Sequence, residues 1–481
     1  MLGDVRRMLP LLAILGAGMA LRLVLAYVVF PGQGFASDIR QFASWARALA
    51  DGGPATIYAT SPANYPPAYL YVLWALGVVS GGQVPVGLLK LPAILADAGV
   101  ALLLYRLAGR WRGPRAGLLA AALYLFIPVT WYDSALWGQV DAVAALVMVA
   151  ALVLLVEGWS EPAAAAAVLG VLVKPQALVC LVVVAPVLVR RHLIAVGSGP
   201  VPAGWLAGQG PVRLVTSSLA AASVGALVMA PFDTERFAPP RLAAVPVAGS
   251  FGGLAGLIQL ASGQYRVLTA NAYNLWALVG PRPLVDGVGS LTADSLTVIG
   301  GLPAFTVGSV LLAAVAVLVA AGLLRRDGVL PIVVGFTVMA FAFYALPTRV
   351  HERYLFPAFA SGAVLAAAGL AGVVSYLVAG VLNAINLHAV LAAPFGPPGP
   401  PGGFRGPRGG FDLGGIASIH LPLADLARSP PVATSVALGQ TAAMIALVVA
   451  WILVLNGAGE PPSSPARSRR VSSLASESAP T

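Results

Sequence analysis

Cysteine and charge are the two features that this chain has least of. The sequence contains a single cysteine, Cys180, so an intrachain disulfide is excluded. Only 10% of its residues are charged, whereas 59% are hydrophobic. A soluble core cannot accommodate that much apolar surface. The composition therefore excludes a soluble globular protein and predicts an all-α polytopic membrane protein.

Several sequence motifs of known chemistry are also missing. There is no P-loop, no spacing typical of zinc ligands, no G-x-S-x-G nucleophile elbow and no soluble nucleotide-sugar domain. The net charge of +10 is explained by arginines at the ends of apolar runs, so no nucleic-acid partner is expected. Any substrate is thus expected to come from the membrane or from outside the cell.

Long apolar runs predict about 12 transmembrane helices, because a helix needs about 20 apolar residues to cross a bilayer. The predicted spans are roughly 8–30, 91–109, 116–132, 139–156, 162–174, 176–189, 212–231, 299–324, 329–347, 354–372, 373–392 and 432–456.

The arginines indicate how these spans are oriented. If residues 66–80 form a surface or re-entrant helix rather than a span, most arginines fall on one side, as the positive-inside rule requires. Those residues are Arg6, Arg7, Arg106, Arg110, Arg112, Arg115, Arg190, Arg191, Arg213, Arg325, Arg326, Arg467, Arg469 and Arg470. We therefore predict a multi-pass protein of the bacterial inner membrane with both termini in the cytoplasm.

Two large loops then face outside. The first, 31–90, begins with an amphipathic helix from Ser37 to Asp51, with Ser37 as its N-cap, lying flat at the membrane surface. The second, 232–298, contains a short apolar piece at 251–261. The predicted organisation is a transmembrane module over 1–392, a Pro/Gly-rich outer loop over 393–431, a last helix over 432–456 and a disordered tail over 457–481.

Five polar clusters interrupt the apolar sequence, and this topology places all of them at the outer face. Ionisable residues within membrane segments are costly and usually functional. The clusters are Asp38 with Arg40, Trp137 to Asp141, Lys174 to Gln176, Asn271 to Trp276 and Arg349 to Tyr354. We expect them to form one site.

Each cluster has a functional and a structural interpretation. Asp38 is either a general base or an acid that stabilises a helix start. Trp137, Gln139 and Asp141 either bind a sugar or combine an interfacial tryptophan with a polar pair between helices.

The basic residues of the clusters also have two interpretations each. Lys174 either binds phosphate or extends its amine from a helix end towards water. Arg349, His351 and Arg353 either clamp a phosphate, with Glu352 orienting one of them or holding a metal, or form an ion-pair network. Asp233 and Glu235 form a loose acidic pair, either a metal site or, as is more common, a polar loop.

The order of the motifs resembles a known family. D-x-x-x-F-x-x-W-A, Y-P-P-x-Y-L-Y, L-W-G-Q-V-D, V-K-P-Q, N-A-Y-N-L-W and R-V-H-E-R-Y-L-F-P follow one another over about residues 8–392. This resembles bacterial GT-C glycosyltransferases, and more narrowly the relatives of the GPI mannosyltransferase that acts second in its pathway. The resemblance implies a GT-C-type bundle whose large first extracytoplasmic loop carries juxtamembrane helices.

The resemblance also implies a reaction. Asp38 is expected to act as the base that deprotonates the acceptor hydroxyl. The expected donor is a polyprenyl-phosphate hexose, with mannose as the hexose that the resemblance implies, and the configuration at the sugar is expected to invert. Arg349, His351, Arg353 and Lys174 are expected to bind the donor phosphate. The expected sugar or acceptor pocket comprises Tyr65, Trp137, Gln139, Asp141, Asn271, Asn274, Trp276 and Glu352.

The remaining expectations concern cofactors, acceptor and the competing function. No cofactor or metal is expected, since arginine and lysine can neutralise a phosphate monoester. The acceptor is a lipid or a glycan. The alternative function is a flippase or transporter of a lipid-linked glycan, which should carry polar groups near the middle of the membrane. The clusters at one face favour the enzyme.

Overall fold

The computed structural model describes residues 2–202, 209–243, 245–279, 290–392 and 417–457. Most of the predicted Pro/Gly-rich loop and nearly all of the predicted C-terminal tail lie outside these residues. The predicted last span corresponds to the helix Pro430–Leu455.

The described chain is mostly helical, which confirms the all-α prediction. In chain order the helices are α1 Leu2–Leu23, α2 Ala36–Gly52, α3 Ile57–Thr60, α4 Pro67–Val79, α5 Val86–Arg112, α6 Pro114–Phe126, α7 Pro128–Trp131, α8 Asp141–Val156, α9 Ser160–Val173, α10 Leu178–Val189, α11 Pro211–Met229, α12 Pro240–Ala243, α13 Pro246–Ser262, α14 Ala304–Arg325, α15 Val329–Ala345, α16 Phe356–Ala366, α17 Leu370–Leu391, α18 Ala424–Arg428 and α19 Pro430–Leu455.

The described residues also contain four very short strands. They are β1 Gln33–Gly34, β2 Val267–Thr269, β3 Ser290–Ala293 and β4 Ala417–Ser418. β1 pairs with β4 in parallel, and β2 pairs with β3 in antiparallel orientation. Both pairs belong to segments that connect helices rather than to a core sheet.

Every one of the twelve predicted spans contains a helix. Among the described residues, seven helical segments are long and apolar enough to cross a membrane, and the bent pair Pro114–Phe126 and Pro128–Trp137 makes an eighth. The chain is therefore a multi-pass membrane protein. The other four predicted spans contain helices of only 16, 14, 17 and 11 residues, namely α8, α9, α15 and α16.

These four short helices border the polar clusters. α8 begins at Asp141, α9 ends just before Lys174, and the segment 346–355 lies between α15 and α16. A 16-residue helix is about 24 Å long, shorter than a hydrocarbon core of about 30 Å. Non-helical backbone at such depth is tolerated where protein buries it or where it lines a cavity.

The two ends of α8 meet two different groups of polar side chains. Asp141 lies at its first residue, whereas Glu157 follows its last and pairs with Arg106 at 2.5 Å and Arg110 at 2.9 Å. Further ion pairs surround Glu157: Arg213 contacts Glu161 at 2.7 Å, and Arg191 pairs with Asp327. Four of the arginines that set the predicted topology, Arg106, Arg110, Arg191 and Arg213, therefore lie at the end of the bundle opposite Asp141. The predicted cytoplasmic residues Arg467, Arg469 and Arg470 lie outside the described residues.

The amphipathic helix α2 has the predicted apolar face but a different start. Ile39, Phe42, Trp45, Ala46 and Leu49 are all at most 1% exposed. That face packs against α4, where Gly77 lies so close that an added Cβ would stand 2.1 Å from the carbonyl oxygen of Ala46.

The prediction of Ser37 as the N-cap is wrong. Phe35 holds the N-cap position without a side-chain hydrogen bond, and Ser37 is already helical. The helix begins earlier because the chain before it is fixed elsewhere: the amide of Phe35 donates to the carbonyl of Trp137 at 3.1 Å.

Candidate active site

A cavity of about 310 Å³ lies where the polar clusters converge. Its lining residues come from the helices α2, α10, α13, α14 and α15, and from the segments that connect helices before α4, before α8, between α9 and α10, after α13 and over 347–354. They are Asp38, Gln41, Phe42, Asn64, Tyr65, Gln139, Lys174, Pro175, Gln176, Leu178, Ile258, Ala261, Ser262, Gln264, Tyr265, Phe305, Phe343, Pro347, Thr348, Arg349, Val350, His351, Arg353 and Tyr354. Four of the five clusters thus contribute to one cavity.

Asp38 stands in the first turn of α2, and one of its two carboxylate oxygens is held by the protein. Oδ2 accepts a hydrogen bond from the indole Nε1 of Trp137 at 2.8 Å and another from Nε2 of Gln139. The Arg353 guanidinium lies 3.8 Å from the same oxygen. Oδ1 accepts no hydrogen bond from the described residues. Asp38 lines the cavity, so this oxygen is available to a molecule bound there.

Asp141 and Lys174 form a buried ion pair beside Asp38. The Lys174 amine donates to Asp141 Oδ1 at 2.6 Å, and the amide of Gln176 donates to the same oxygen at 2.8 Å. Pro175 ends α9 and places the lysine in extended backbone, so the amine reaches back over α8. The amine also lies 5.3 Å from the ring centre of Tyr354, a cation–π contact.

Arg353 lies among three carboxylates. It donates to Glu352 Oε1 at 2.8 Å and stands 4.0 Å from Asp141 in addition to its contact with Asp38. Burial opposes the charge, but Asp38 and Glu352 hold the pKa of Arg353 above its ordinary value. Its Nε has no hydrogen-bond partner among the described residues. The Arg353 guanidinium therefore offsets the negative charge of the three neighbouring carboxylates.

Glu352 and His351 are both influenced by burial. Desolvation raises the pKa of Glu352, although Arg353 works in the opposite direction. Desolvation, followed by repulsion from Arg353 and Lys174, lowers the pKa of His351 well below its ordinary value. His351 is therefore a neutral imidazole at pH 7, and it packs edge-on against Tyr265 at 4.7 Å.

Arg349 lines the cavity with a partner of its own. Its Nε donates to Asp294 at 2.5 Å, and its guanidinium lies 4.2 Å from the ring centre of Phe305. The residue adopts a left-handed backbone with φ +68°, which is rare for a side chain of this size. The Arg349 side chain is 19% exposed, whereas the next residue, Val350, is buried.

The cluster Asn271 to Trp276 supports the site without lining its cavity. Asn274 donates to the carbonyl of Tyr344 at 2.9 Å, and the indole of Trp276 donates to the carbonyl of Leu346 at 2.6 Å. Asn386 donates to the carbonyl of Asn271 at 2.8 Å. These bonds hold the backbone that precedes Arg349.

The other predicted residues fall into two groups. Tyr65 lines the cavity, and its hydroxyl donates to Gln139 Oε1 at 3.5 Å. Three other predicted residues lie directly behind the cavity lining. Trp137 bonds to Asp38, Asp141 pairs with Lys174, and Glu352 pairs with Arg353.

The acidic residues Asp233 and Glu235 each contact a residue close to them in the sequence. Glu235 accepts from Ser250 at 2.6 Å, and Asp233 lies 3.6 Å from Arg236. Within the residues that the structure describes, no group of three or more His, Cys, Asp or Glu side chains is arranged to hold a metal.

Asp133 is a site residue that the sequence patterns missed. It is fully buried, and neither of its carboxylate oxygens has a hydrogen-bond partner among the described residues. It lies in a π-helical turn, Tyr132–Trp137, and its carbonyl accepts from the amides of Gly138 and Gln139. An acid inside an apolar run, four residues before Trp137, was the available signal.

No family model matches this sequence, and no curated protein matches it. Solved structures with a distant likeness include the oligosaccharyltransferase of Archaeoglobus fulgidus in its apo form, at 15% identity and a TM-score of 0.43, which covers 94% of this chain and 56% of that one. ArnT from Cupriavidus metallidurans, bound to undecaprenyl phosphate, is 17% identical over 90% of this chain and 76% of that one, with a TM-score of 0.43.

A further structure of the archaeal oligosaccharyltransferase AglB, in complex with an inhibitory peptide and a dolichol-phosphate, is 13% identical with a TM-score of 0.41. It covers 94% of this chain and 56% of that one. The present chain thus spans little more than half the length of the archaeal proteins. All these TM-scores are below 0.5, so the similarity establishes neither the reaction nor the substrate of this chain.

Proposed function

We propose that this protein is a membrane glycosyltransferase of the GT-C type that transfers a hexose from a polyprenyl-phosphate donor to an acceptor hydroxyl. The observation that carries the proposal is the position of Asp38. One carboxylate oxygen is fixed by two donors, and the other is left to a molecule in a cavity whose lining also contains cations.

The proposed reaction uses that geometry. The acceptor hydroxyl oxygen attacks the anomeric carbon of the donor sugar while Asp38 takes up the hydroxyl proton. A new glycosidic bond forms, and the bond between the anomeric carbon and the phosphate oxygen breaks. Its electron pair leaves with the polyprenyl phosphate, and the configuration at the sugar is inverted.

The leaving phosphate requires positive charge, and the cavity supplies it. Arg353, Arg349 and Lys174 line the cavity, and their N–H groups are the proposed donors for the phosphate oxygens. Neutral His351 contributes a hydrogen bond rather than a charge. Each cation already has a carboxylate partner, so a bound phosphate would share or displace Asp141, Glu352 or Asp294.

The arrangement of the polar residues favours an enzyme over a transporter. The cavity lies at one end of the bundle, and ion pairs occupy the other end, about one helix length away along α8. A transporter would need polar access from both faces. We place the cavity on the outer face of a bacterial inner membrane, with both termini in the cytoplasm, because of the arginine distribution.

The identity of the sugar rests on the motif resemblance. Mannose is the proposed hexose, because the ordered motifs resemble the bacterial relatives of the second GPI mannosyltransferase. Tyr65, Tyr265 and Tyr354 offer ring faces and hydroxyls to a sugar in the cavity. The acceptor is proposed to be a lipid or a glycan.

A transfer assay tests the proposal. Membranes with wild-type protein should move label from polyprenyl-phosphate-mannose to an endogenous acceptor, and Asp38→Asn should lower the rate about 10²- to 10⁴-fold. Asp51→Asn, an exposed acid at the other end of α2, is the matched control and should leave the rate unchanged. Transfer by Asp38→Asn at the wild-type rate would refute the assignment of the base, and transfer from polyprenyl-phosphate-glucose alone would refute mannose.

A further inference from the structure

The turn Trp137-Gly138-Gln139 brings two side chains to the same carboxylate. Gly138 has φ +85°, in the left-handed region, and its amide and that of Gln139 both donate to the carbonyl of Asp133. This backbone conformation favours glycine, and a Cβ on Gly138 would also lie 2.5 Å from Cδ1 of Ile39. The tight turn allows the residues before and after Gly138 to face the first turn of α2.

The amide of Gln139 has one orientation that satisfies its neighbours. Its Oε1 accepts from the backbone amide of Val140 at 3.1 Å and from the Tyr65 hydroxyl at 3.5 Å. A backbone N–H can only donate, so the oxygen must occupy that side. Nε2 therefore faces Asp38 and can only donate to it.

Trp137 is held as firmly as Gln139. Its side chain is fully buried, and its ring packs on Phe35 with centroids 4.4 Å apart. The Phe35 amide donates to the Trp137 carbonyl, and the guanidinium of Arg353 lies 5.5 Å from the indole ring centre. The indole N–H has Asp38 Oδ2 as its hydrogen-bond partner at 2.8 Å.

We propose that Trp137 and Gln139 are positioning residues that orient the Asp38 carboxylate by holding Oδ2, so that Oδ1 faces the acceptor hydroxyl. This inference rests on the proposed function, because it requires Asp38 to be the base. It changes the role of Gln139 from a sugar contact to a support of the base, and it gives fully buried Trp137 a role that needs no contact with sugar.

Other charged and titratable side chains also face Asp38, and the substitutions proposed below do not replace them. Arg353 and Glu352 approach from the segment 347–354, Tyr65 from the loop before α4, and Tyr265 from the loop after α13. None of them is altered by the substitutions below, so a change in the pH profile reports on the donors to Oδ2.

The test is the pH dependence of transfer by purified full-length variants in detergent. Gln139→Glu replaces a donor with a second carboxylate of nearly the same shape. Like charges disfavour ionisation, so the rising limb of the rate against pH should move up by about one unit or more. Gln83→Glu adds the same charge at an exposed position between α4 and α5 and should keep the wild-type profile.

A second variant tests the tryptophan. Trp137→Phe keeps an aromatic ring against Phe35 and Arg353 but removes the N–H. Because the base loses one constraint, kcat should fall about 10- to 100-fold. KM for the donor should change little, since Trp137 is not among the described residues that line the cavity. Thermal unfolding of each variant shows that it is folded.

The outcomes separate this inference from the proposed function. A wild-type pH profile for Gln139→Glu, or a wild-type kcat for Trp137→Phe, overturns the positioning role if Asp38→Asn is inactive. Activity in Asp38→Asn instead overturns the base itself and with it the proposed function. A pH profile shifted upward in Gln139→Glu, together with a lowered kcat in Trp137→Phe, establishes the positioning role of both residues. If one of the two variants is misfolded, the result for the folded variant decides.

Discussion

Lys174 and Asp141 form an ion pair 2.6 Å long although neither side chain is more than 5% exposed. In Lys174→Met the carboxylate would stay buried, with only Gln176 and the more distant Arg353 near it. Removing one partner of a buried pair costs about 3–5 kcal/mol. Thermal unfolding in detergent should therefore show a large loss of stability.

The control for that prediction is an ion pair at the other end of the bundle in which only the carboxylate is buried. Arg106 contacts Glu157 at 2.5 Å, but the arginine side chain is 57% exposed, and Arg110 contacts the same carboxylate at 2.9 Å. An exposed arginine contributes about 0–1 kcal/mol to such a pair, and in Arg106→Met the Glu157 carboxylate would keep Arg110 as a partner. Arg106→Met should hence be only slightly less stable than the wild type, and equal losses in the two variants would contradict the distinction.

The buried imidazole of His351 should make the stability of the folded protein depend on pH. Burial lowers its pKa in the folded protein, whereas the unfolded chain binds a proton below about pH 6.5. The wild type consequently loses stability as the pH falls through that value, and His351→Asn does not suffer this loss. The stability difference, wild type minus His351→Asn, should decrease from about pH 7.5 to about 5.5. A constant difference in the unfolding midpoints would refute a neutral, desolvated His351.

Arg349 should influence donor binding more than turnover. The guanidinium lines the cavity, and a hydrogen bond to a charged group contributes about 1.5–3 kcal/mol. Arg349→Ala should raise the Kd for a polyprenyl-phosphate donor about 10- to 100-fold. Arg266→Ala, which removes an exposed arginine just before β2, is the matched control. Unchanged affinity in Arg349→Ala would show that Arg349 serves its pair with Asp294 alone.

The predicted orientation can be tested by cysteine labelling. Cys180 is buried, so the background should be low. Arg110→Cys replaces a side chain that is 55% exposed at the arginine-rich end and should react with a membrane-impermeant maleimide only after the cells are permeabilised. Gln83→Cys, at the opposite end, should react in intact cells. Labelling of Arg110→Cys in intact cells would reverse the topology and remove the argument for an outer-face site.

The apolar sequence was sufficient to predict the helices, because runs of about 20 apolar residues have few alternatives in a membrane. It was also sufficient to bring Asp38, Gln139, Lys174 and Arg353 to one cavity, since polar residues within such runs are rare. Local patterns could therefore predict both the fold class and most of the cavity.

Contacts between distant residues could not be predicted in this way. Arg349 pairs with Asp294, 55 positions earlier in the chain, and Trp276 bonds to the carbonyl of Leu346, 70 positions later. No short motif carries either contact. The start of α2 was missed for the same reason, because the amide of Phe35 bonds to Trp137 across the sequence.

Sugar transfer and release of the polyprenyl-phosphate carrier should occur together if the protein is a glycosyltransferase. Purified protein in liposomes would receive polyprenyl-phosphate-mannose and a lipid acceptor extract, and mass spectrometry would count free polyprenyl phosphate and glycosylated acceptor together. We expect one polyprenyl phosphate to be released for each sugar transferred, with both products lost in Asp38→Asn and retained in Asp51→Asn. Movement of intact donor across the bilayer without release of the carrier would contradict it and identify a transporter.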